Sequence, residues 1–115
     1  GDESTAIDAT GQKISFRLPY AMTLNAGIAG VTGSLVTAGT GGALLTVDIQ
    51  ESGSTILSTA LTFDATETTT TTAATPVIIS DTALAADSVI TISVTTLDSG
   101  GVAAGLKISL IGTLA

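Results

Sequence analysis

The sequence contains no cysteine and no histidine. Without cysteine there is neither a disulfide framework nor thiol chemistry, and the sequence does not indicate whether the protein occupies an oxidising or a reducing compartment. Without histidine, the usual base beside a serine nucleophile is missing. A serine paired with Lys13 or Lys107 is formally possible, but no motif supports it. We therefore expect a protein that is not an enzyme and that carries no cofactor.

Charge is also scarce, because only 11% of the residues are charged and ten acidic residues oppose three basic ones. The basic residues are Lys13, Arg17 and Lys107, which form no cluster in the sequence. Nucleic acids and anionic membranes are bound by clustered lysine and arginine, so neither is an expected partner. A mean hydropathy of +0.62 combined with this low charge argues against disorder.

Aromatic residues are limited to Phe16, Tyr20 and Phe63. Tyr20 is therefore the one plausible platform for stacking a sugar, and a packed turn residue is the other interpretation. Glycoside hydrolysis needs two carboxylates at a set separation, usually beside aromatic platforms. Three acidic residues could supply them, although turn and outward-facing strand positions explain these residues without catalysis: Asp48, Glu51 and Asp64.

Metal and phosphate sites have weak signals. Three aspartates lie in expected loops and could converge on a calcium ion, but no EF-hand spacing is present and loop aspartates usually bond to their own turns: Asp81, Asp87 and Asp98. The glycines of residues 39–42 lack the lysine of a phosphate-binding loop. We expect no catalytic, cofactor or metal residues.

The uncharged stretch from Pro19 to Val47 is broken by glycines and hydroxyl residues, which argues against a membrane span.

Apolar residues, mostly aliphatic, make up 44% of the chain, and they alternate with polar ones. Such a period of two is typical of strands with one buried face. The clearest runs are 13–18, 22–28, 45–50, 90–95 and 106–111, with shorter apolar runs at 35–36 and 77–79. Ile92 is expected in the core of a central strand, and Leu84 and Ala85 are expected to plug a loop. Gly30 and Gly33 are expected at a bulge or turn.

Two segments leave alternatives open. Residues 55–63 fit one strand better than a short helix, because they are rich in threonine and serine. Residues 66–72 are nearly pure threonine, which fits an exposed edge strand or a long loop better than a mucin-like linker.

The pattern predicts an all-β chain, an antiparallel β-sandwich of about seven to eight short strands, either jelly-roll-like or immunoglobulin-like. Residues 1–12 are expected to form an N-terminal arm or linker, and residues 13–115 a single sandwich domain. The chain starts at Gly1, which suggests processing, an engineered boundary or an excerpt from a longer polypeptide.

Four segments resemble a module of bacteriophage virion proteins, found in tail-fibre-like and other surface proteins of particles. They are ISFRLPYAMTL, LLTVDIQESGSTILSTALTFDA, TTAATPVIISDTALAADSVITISV and GLKISLIGT. The resemblance covers most of the chain in order. Ala60 stands where a basic residue would be expected in this module, so contacts made through that charge in similar proteins are not implied here.

The resemblance implies a structural protein on the surface of a virion, either a capsid decoration or cement protein or a fibre domain. It also implies a homotrimer in contact with other virion proteins. Independently, thirty-three threonine and serine residues against thirteen charged ones favour contact with other protein surfaces, copies of itself included. The alternative is a head domain of a tail fibre or spike that binds a host receptor or glycan.

Overall fold

The structure, a computed structural model, describes residues 6–115. Within this range the chain forms twelve strands and a single turn of 3-10 helix at Gly27–Ala29. The strands are β1 (Gly11–Arg17), β2 (Met22–Leu24), β3 (Val31–Ser34), β4 (Leu45–Glu51), β5 (Ser54–Thr55), β6 (Leu57–Thr59), β7 (Leu61–Phe63), β8 (Ile78–Ile79), β9 (Ala83–Leu84), β10 (Val89–Thr96), β11 (Lys107–Leu110) and β12 (Gly112–Leu114).

The largest sheet has five antiparallel strands, with β10 between β1 and β4. Both β5 and β7 pair with the other edge of β4, at successive positions along it. In this register Ile92 lies opposite Ile14 of β1 and Ile49 of β4. The alternation of β4 and β10 buries one face of each strand, and Ile90, Ile92 and Val94 are almost inaccessible, as the period of two predicts.

The opposing layer is assembled from three small antiparallel sheets. These are β11–β3, β12–β2–β9 and β6–β8. Leu24, Val31, Leu57 and Leu84 from these strands join the buried residues of the five-stranded sheet in a contiguous apolar cluster. The predicted all-β, sandwich-like architecture is thus confirmed. Among the described residues no helix is long and apolar enough to cross a membrane.

The strand count exceeds the predicted seven or eight, partly because residues 55–63 form three short strands instead of one, and partly because β9 and β12 lie outside the expected strands. β5 pairs with β4, β6 pairs with β8, and β7 returns to β4. The chain leaves the main sheet where Ile56 and Leu57 are both buried, although adjacent residues of one regular strand point to opposite faces. The strand is interrupted here because the chain passes from one sheet to another, and the apolar pattern of the sequence does not indicate that interruption.

The expected strand over residues 22–28 ends at Leu24, and the 3-10 turn follows it. Gly33 was expected at a bulge or turn, yet it lies within β3. A Cβ atom at Gly33 would lie 2.8 Å from Cζ of Phe63, so this glycine admits the buried ring instead of reversing the chain. The expected strand at Leu35 and Val36 begins and ends earlier, at Val31 and Ser34.

The threonine-rich segment, residues 66–72, is a loop and contains no strand. It is joined to β3 by a bridge between Thr69 and Ser34, and Thr70 is buried at 2% exposure. The Thr70 hydroxyl accepts a hydrogen bond of 2.9 Å from the Gly33 N–H. Leu84, the expected loop plug, is buried in β9, whereas Ala85 is exposed.

The N-terminal part of the chain is bonded to the domain ahead of residue 13. Ala6 forms a bridge with Ala104, the N–H of Ile7 donates to the carbonyl of Ala103 at 2.8 Å, and β1 begins at Gly11. The expected arm over residues 1–12 therefore includes residues that belong to the sheets, and residues 1–5 of it lie outside the described range.

Candidate functional site

The carboxylates considered for catalysis each serve a local contact. Asp48 accepts a hydrogen bond from the Thr55 hydroxyl. Glu51 accepts the Ala85 N–H at 2.7 Å, and Asp64 accepts the Ala74 N–H at 3.0 Å. These bonds join β4 to β5, β4 to the loop at Ala85, and two loop segments to each other, which is the role that turn and strand-face carboxylates usually have.

The three aspartates considered for calcium also have separate partners. Asp81 accepts the Ala83 N–H at 3.1 Å, and Asp87 lies 3.6 Å from Arg17 in an exposed ion pair. Asp98 is buried at 4% exposure. Within residues 6–115, no three acidic side chains form a group that could hold a metal ion. The arrangement of these aspartates is therefore that of three independent loop contacts.

Asp98 joins two loops of the chain. One of its oxygens, Oδ2, accepts the backbone N–H of Thr40 at 3.1 Å and that of Val102 at 3.2 Å. Burial by itself raises the pKa of the carboxyl, but these backbone donors favour the charged form more strongly, so the pKa of Asp98 lies below its usual value. Asp98 was expected in a turn, but its burial could not be predicted from the sequence, because one of its two partners, Thr40, lies 58 residues away.

The glycine-rich residues 39–42, which lack the lysine of a phosphate-binding loop, contact residues 98–100. Gly39 packs on the Asp98 side chain, and the Thr40 carbonyl accepts the Gly100 N–H at 2.8 Å. The Ala43 N–H donates to the Ser99 hydroxyl at 2.8 Å. The N–H groups of Thr40 and Ala43 therefore bind side chains of the protein itself.

A groove of about 570 Å³ lies between β1 and β11. Its described walls are mostly apolar, and two lysines and one aspartate complete them: Ala6, Ile7, Asp8, Lys13, Ile14, Phe16, Ile92, Gly105, Leu106, Lys107 and Ile108. No serine is present among these described residues, so the groove provides no partner for the serine–lysine chemistry considered above. Its chemistry suits an apolar, extended ligand.

The groove exists because β1 extends beyond the cover of the second layer. Ile14 and Phe16 lie opposite the buried Ile92 and Ile90, so their side chains are on the core-facing side of the sheet. All seven residues of β1 are nevertheless exposed. Ile14 keeps 53% and Phe16 38% of its accessible surface. The alternation of β1 was predicted but this exposure was not, since alternation does not show whether a second layer covers the apolar face.

A second, shallower depression of about 240 Å³ lies around Tyr20. It is lined by Leu18, Pro19, Tyr20, Met22, Gly112, Thr113 and Leu114. Tyr20 and Leu114 are the most exposed of the large apolar residues described, at 67% and 75%. Tyr20 therefore has the exposure that stacking on a ligand requires, although its surroundings are apolar.

In comparisons with known proteins, no protein-family model, no curated protein and no solved structure matches the chain. The two apolar surfaces therefore have to be interpreted from their own geometry and chemistry.

Proposed function

We propose that the chain is a non-enzymatic structural module of a bacteriophage virion, either a capsid decoration or cement protein or a fibre domain. It acts by association with copies of itself and by contact with other proteins of the particle. The observation that carries the proposal is the apolar surface. Eight large apolar residues stay exposed on residues 6–115: Ile14, Phe16, Tyr20, Val36, Ile78, Val102, Ile111 and Leu114.

Exposed apolar surface of this kind favours aggregation, and the chain has few charged residues to keep it in solution. Isolated apolar residues are common on protein surfaces, but contiguous apolar depressions usually mark contacts with other molecules. Here Tyr20 and Leu114 border one depression, and Ile14 and Phe16 border another. A closed ring of identical copies removes equivalent patches on every copy from water at once.

The virion assignment and the number three depend on the resemblance of the four segments named above. A trimer on the particle surface matches that resemblance, while the apolar surface by itself would equally suit a dimer.

The alternative function is a head domain that binds a host receptor or a glycan. The exposure of Tyr20 beside an apolar depression is the observation that favours it, because sugars stack on accessible aromatic rings. A single such ring gives a weak platform, and the structural function therefore ranks first.

Sedimentation velocity of the purified chain in low and high salt tests the self-association. We expect a trimer in both conditions, because screening weakens exposed ion pairs and scarcely affects apolar contacts. Replacing the most exposed pair, Tyr20→Ser with Leu114→Ser, should shift the chain towards monomer, whereas Thr23→Ser, an exposed change on β2, should not. A wild-type monomer in both salts would contradict the proposal. Antibodies against the domain should label intact particles, and their location would distinguish capsid from appendage.

A further inference from the structure

The groove between β1 and β11 is bordered by an edge of the five-stranded sheet. Within residues 6–115, β1 pairs with β10 alone, so one side of this seven-residue strand has no strand beside it. Half of the N–H and C=O groups of such a strand point away from its partner and can bond to an added strand. Ile14 and Phe16 of the same strand expose apolar surface in the groove next to that edge.

The charges around the groove are of one dominant sign. The chain has three basic residues and a net charge of −7, and all three basic residues lie on the two strands that border the groove. Lys13 and Lys107 line it, and Arg17 lies on β1 beside Asp87. Asp8 is the acidic residue of the lining. A ligand that carries carboxylates would therefore meet the most basic region of an acidic molecule.

The same charges disfavour a second β1 as the occupant. β1 contains Lys13 and Arg17 and no acidic residue, so pairing two copies edge to edge brings four cations together. In an antiparallel pair centred on Ser15, Lys13 of each copy would lie opposite Arg17 of the other, and like charges directly opposite are destabilising. The register shift between Gln12 and Ile14 further distorts the edge, as in natural strands that resist self-pairing.

The apolar lining requires a ligand that brings apolar groups as well as negative charge.

We propose that this groove binds an extended segment of another protein by addition of a strand to the free edge of β1. The segment has apolar side chains at alternate positions, which enter the groove, and carboxylates between or beside them, which face Lys13 and Lys107. Backbone hydrogen bonds provide the general affinity of such a complex, and the side-chain pattern provides its specificity. The biological setting rests on the proposed contacts with other particle proteins, whereas the binding itself is a property of the isolated chain.

A synthetic peptide of alternating valine and glutamate, with blocked ends, is the direct probe. Two controls have the same length: alternating valine and lysine, and a valine–glutamate peptide of equal composition in which the two residues are separated into blocks. Binding to the full chain is followed by calorimetry and by two-dimensional amide NMR in low salt. We expect the alternating acidic peptide alone to bind, to shift amides of β1 and β11, and to slow hydrogen exchange at the outward amides of β1.

The double variant Lys13→Glu/Lys107→Glu reverses the charge of the groove. We expect it to weaken the acidic peptide about tenfold or more and to admit the valine–lysine peptide, because each reversal replaces an attraction by a repulsion. The single variant Lys13→Glu should weaken it about fivefold, and Thr23→Ser, an exposed change on β2, should leave it unchanged. A thermal melt of each variant verifies that it is folded.

Absence of binding by the wild-type chain, or equal binding of the acidic and basic peptides, would overturn the inference. So would amide shifts confined to the Tyr20 depression. If instead Ile14→Ser abolishes self-association of the peptide-free chain, the occupant is a second copy and the proposed partner is wrong. These outcomes are separate from the sedimentation of wild-type protein, so strand addition and self-association can fail independently.

Discussion

Gly39 lies directly against the side chain of Asp98, so that a Cβ atom at Gly39 would be 2.8 Å from Cβ and 2.9 Å from Cγ of the aspartate. The aspartate has little room to move, because it is buried and its Oδ2 accepts two backbone N–H groups. Glycine at residue 39 is therefore a packing requirement of the joined loops.

Gly39→Ala should lower the free energy of unfolding by about 1–3 kcal/mol, since it overpacks a fixed contact. Gly42→Ala is the matched control in the same loop, because a Cβ there meets no atom within 4 Å. Urea denaturation of both variants measures the difference. Equal midpoints for the two would show that the loop yields easily and that Asp98 does not hold it.

The lowered pKa of Asp98 predicts a loss of stability in acid. A carboxyl whose pKa is lower in the folded than in the unfolded chain stabilises the fold above the unfolded value, about 3.9, and ceases to do so as the pH falls through the folded value. Asp98→Asn should therefore have a lower melting temperature than wild type at neutral pH, and the difference should shrink below about pH 4. A difference in melting temperature that stays constant down to strongly acidic pH would contradict the assigned pKa direction.

Ile92→Asp should abolish cooperative folding. It places a carboxylate at 6% exposure between Ile14 and Ile49, at a cost of at least about 4 kcal/mol against a total stability of about 5–15 kcal/mol. Thr91→Asp, on the other face of β10 and opposite Ser15 and Gln50, is the control and should fold. Circular dichroism and thermal melts compare the two variants. A cooperative melt of Ile92→Asp near the wild-type temperature would mean that the face assignment of β10 is wrong.

Thr70 differs from the other threonines of residues 66–72 because its hydroxyl accepts a buried hydrogen bond from Gly33. Thr70→Val keeps the shape but leaves the Gly33 N–H without this acceptor, which should cost about 1–3 kcal/mol. Thr68→Val changes an exposed neighbour and should stay within about 0.5 kcal/mol of wild type. Denaturant midpoints of the two variants test this, and similar losses for both would contradict a special role for Thr70.

The sequence predicted the parts of the fold that depend on alternation along one strand. β4 and β10 were located by it, and Ile92 is buried in a central strand as expected. It did not predict the features that depend on contacts between residues distant in the sequence. Residues 55–63 cross between sheets. Gly33 has no side chain and so leaves room for the ring of Phe63, a residue thirty positions away.

The same distinction applies to the candidate sites. Tyr20 was interpreted as either an exposed stacking platform or a packed turn residue, and it is exposed. The groove was not predicted, because Ile14 and Phe16 have the pattern of buried residues and only the extent of the opposing layer leaves them open. Asp98 was recognised as a loop residue, but its burial depends on Gly39 and Thr40, which are distant in sequence.

Because the second layer is divided into three small sheets, the free energy needed for local opening differs between the two layers of the molecule. β10 is hydrogen-bonded along both sides, so releasing its amides to solvent requires the separation of the five-stranded sheet. β6, β8 and β9 are only two or three residues long and lie in ladders of two or three strands. Such short ladders open by local fluctuations far below the global unfolding free energy. The layer of small sheets opposite the five-stranded sheet is therefore the part of the domain best able to adjust its shape to a neighbour.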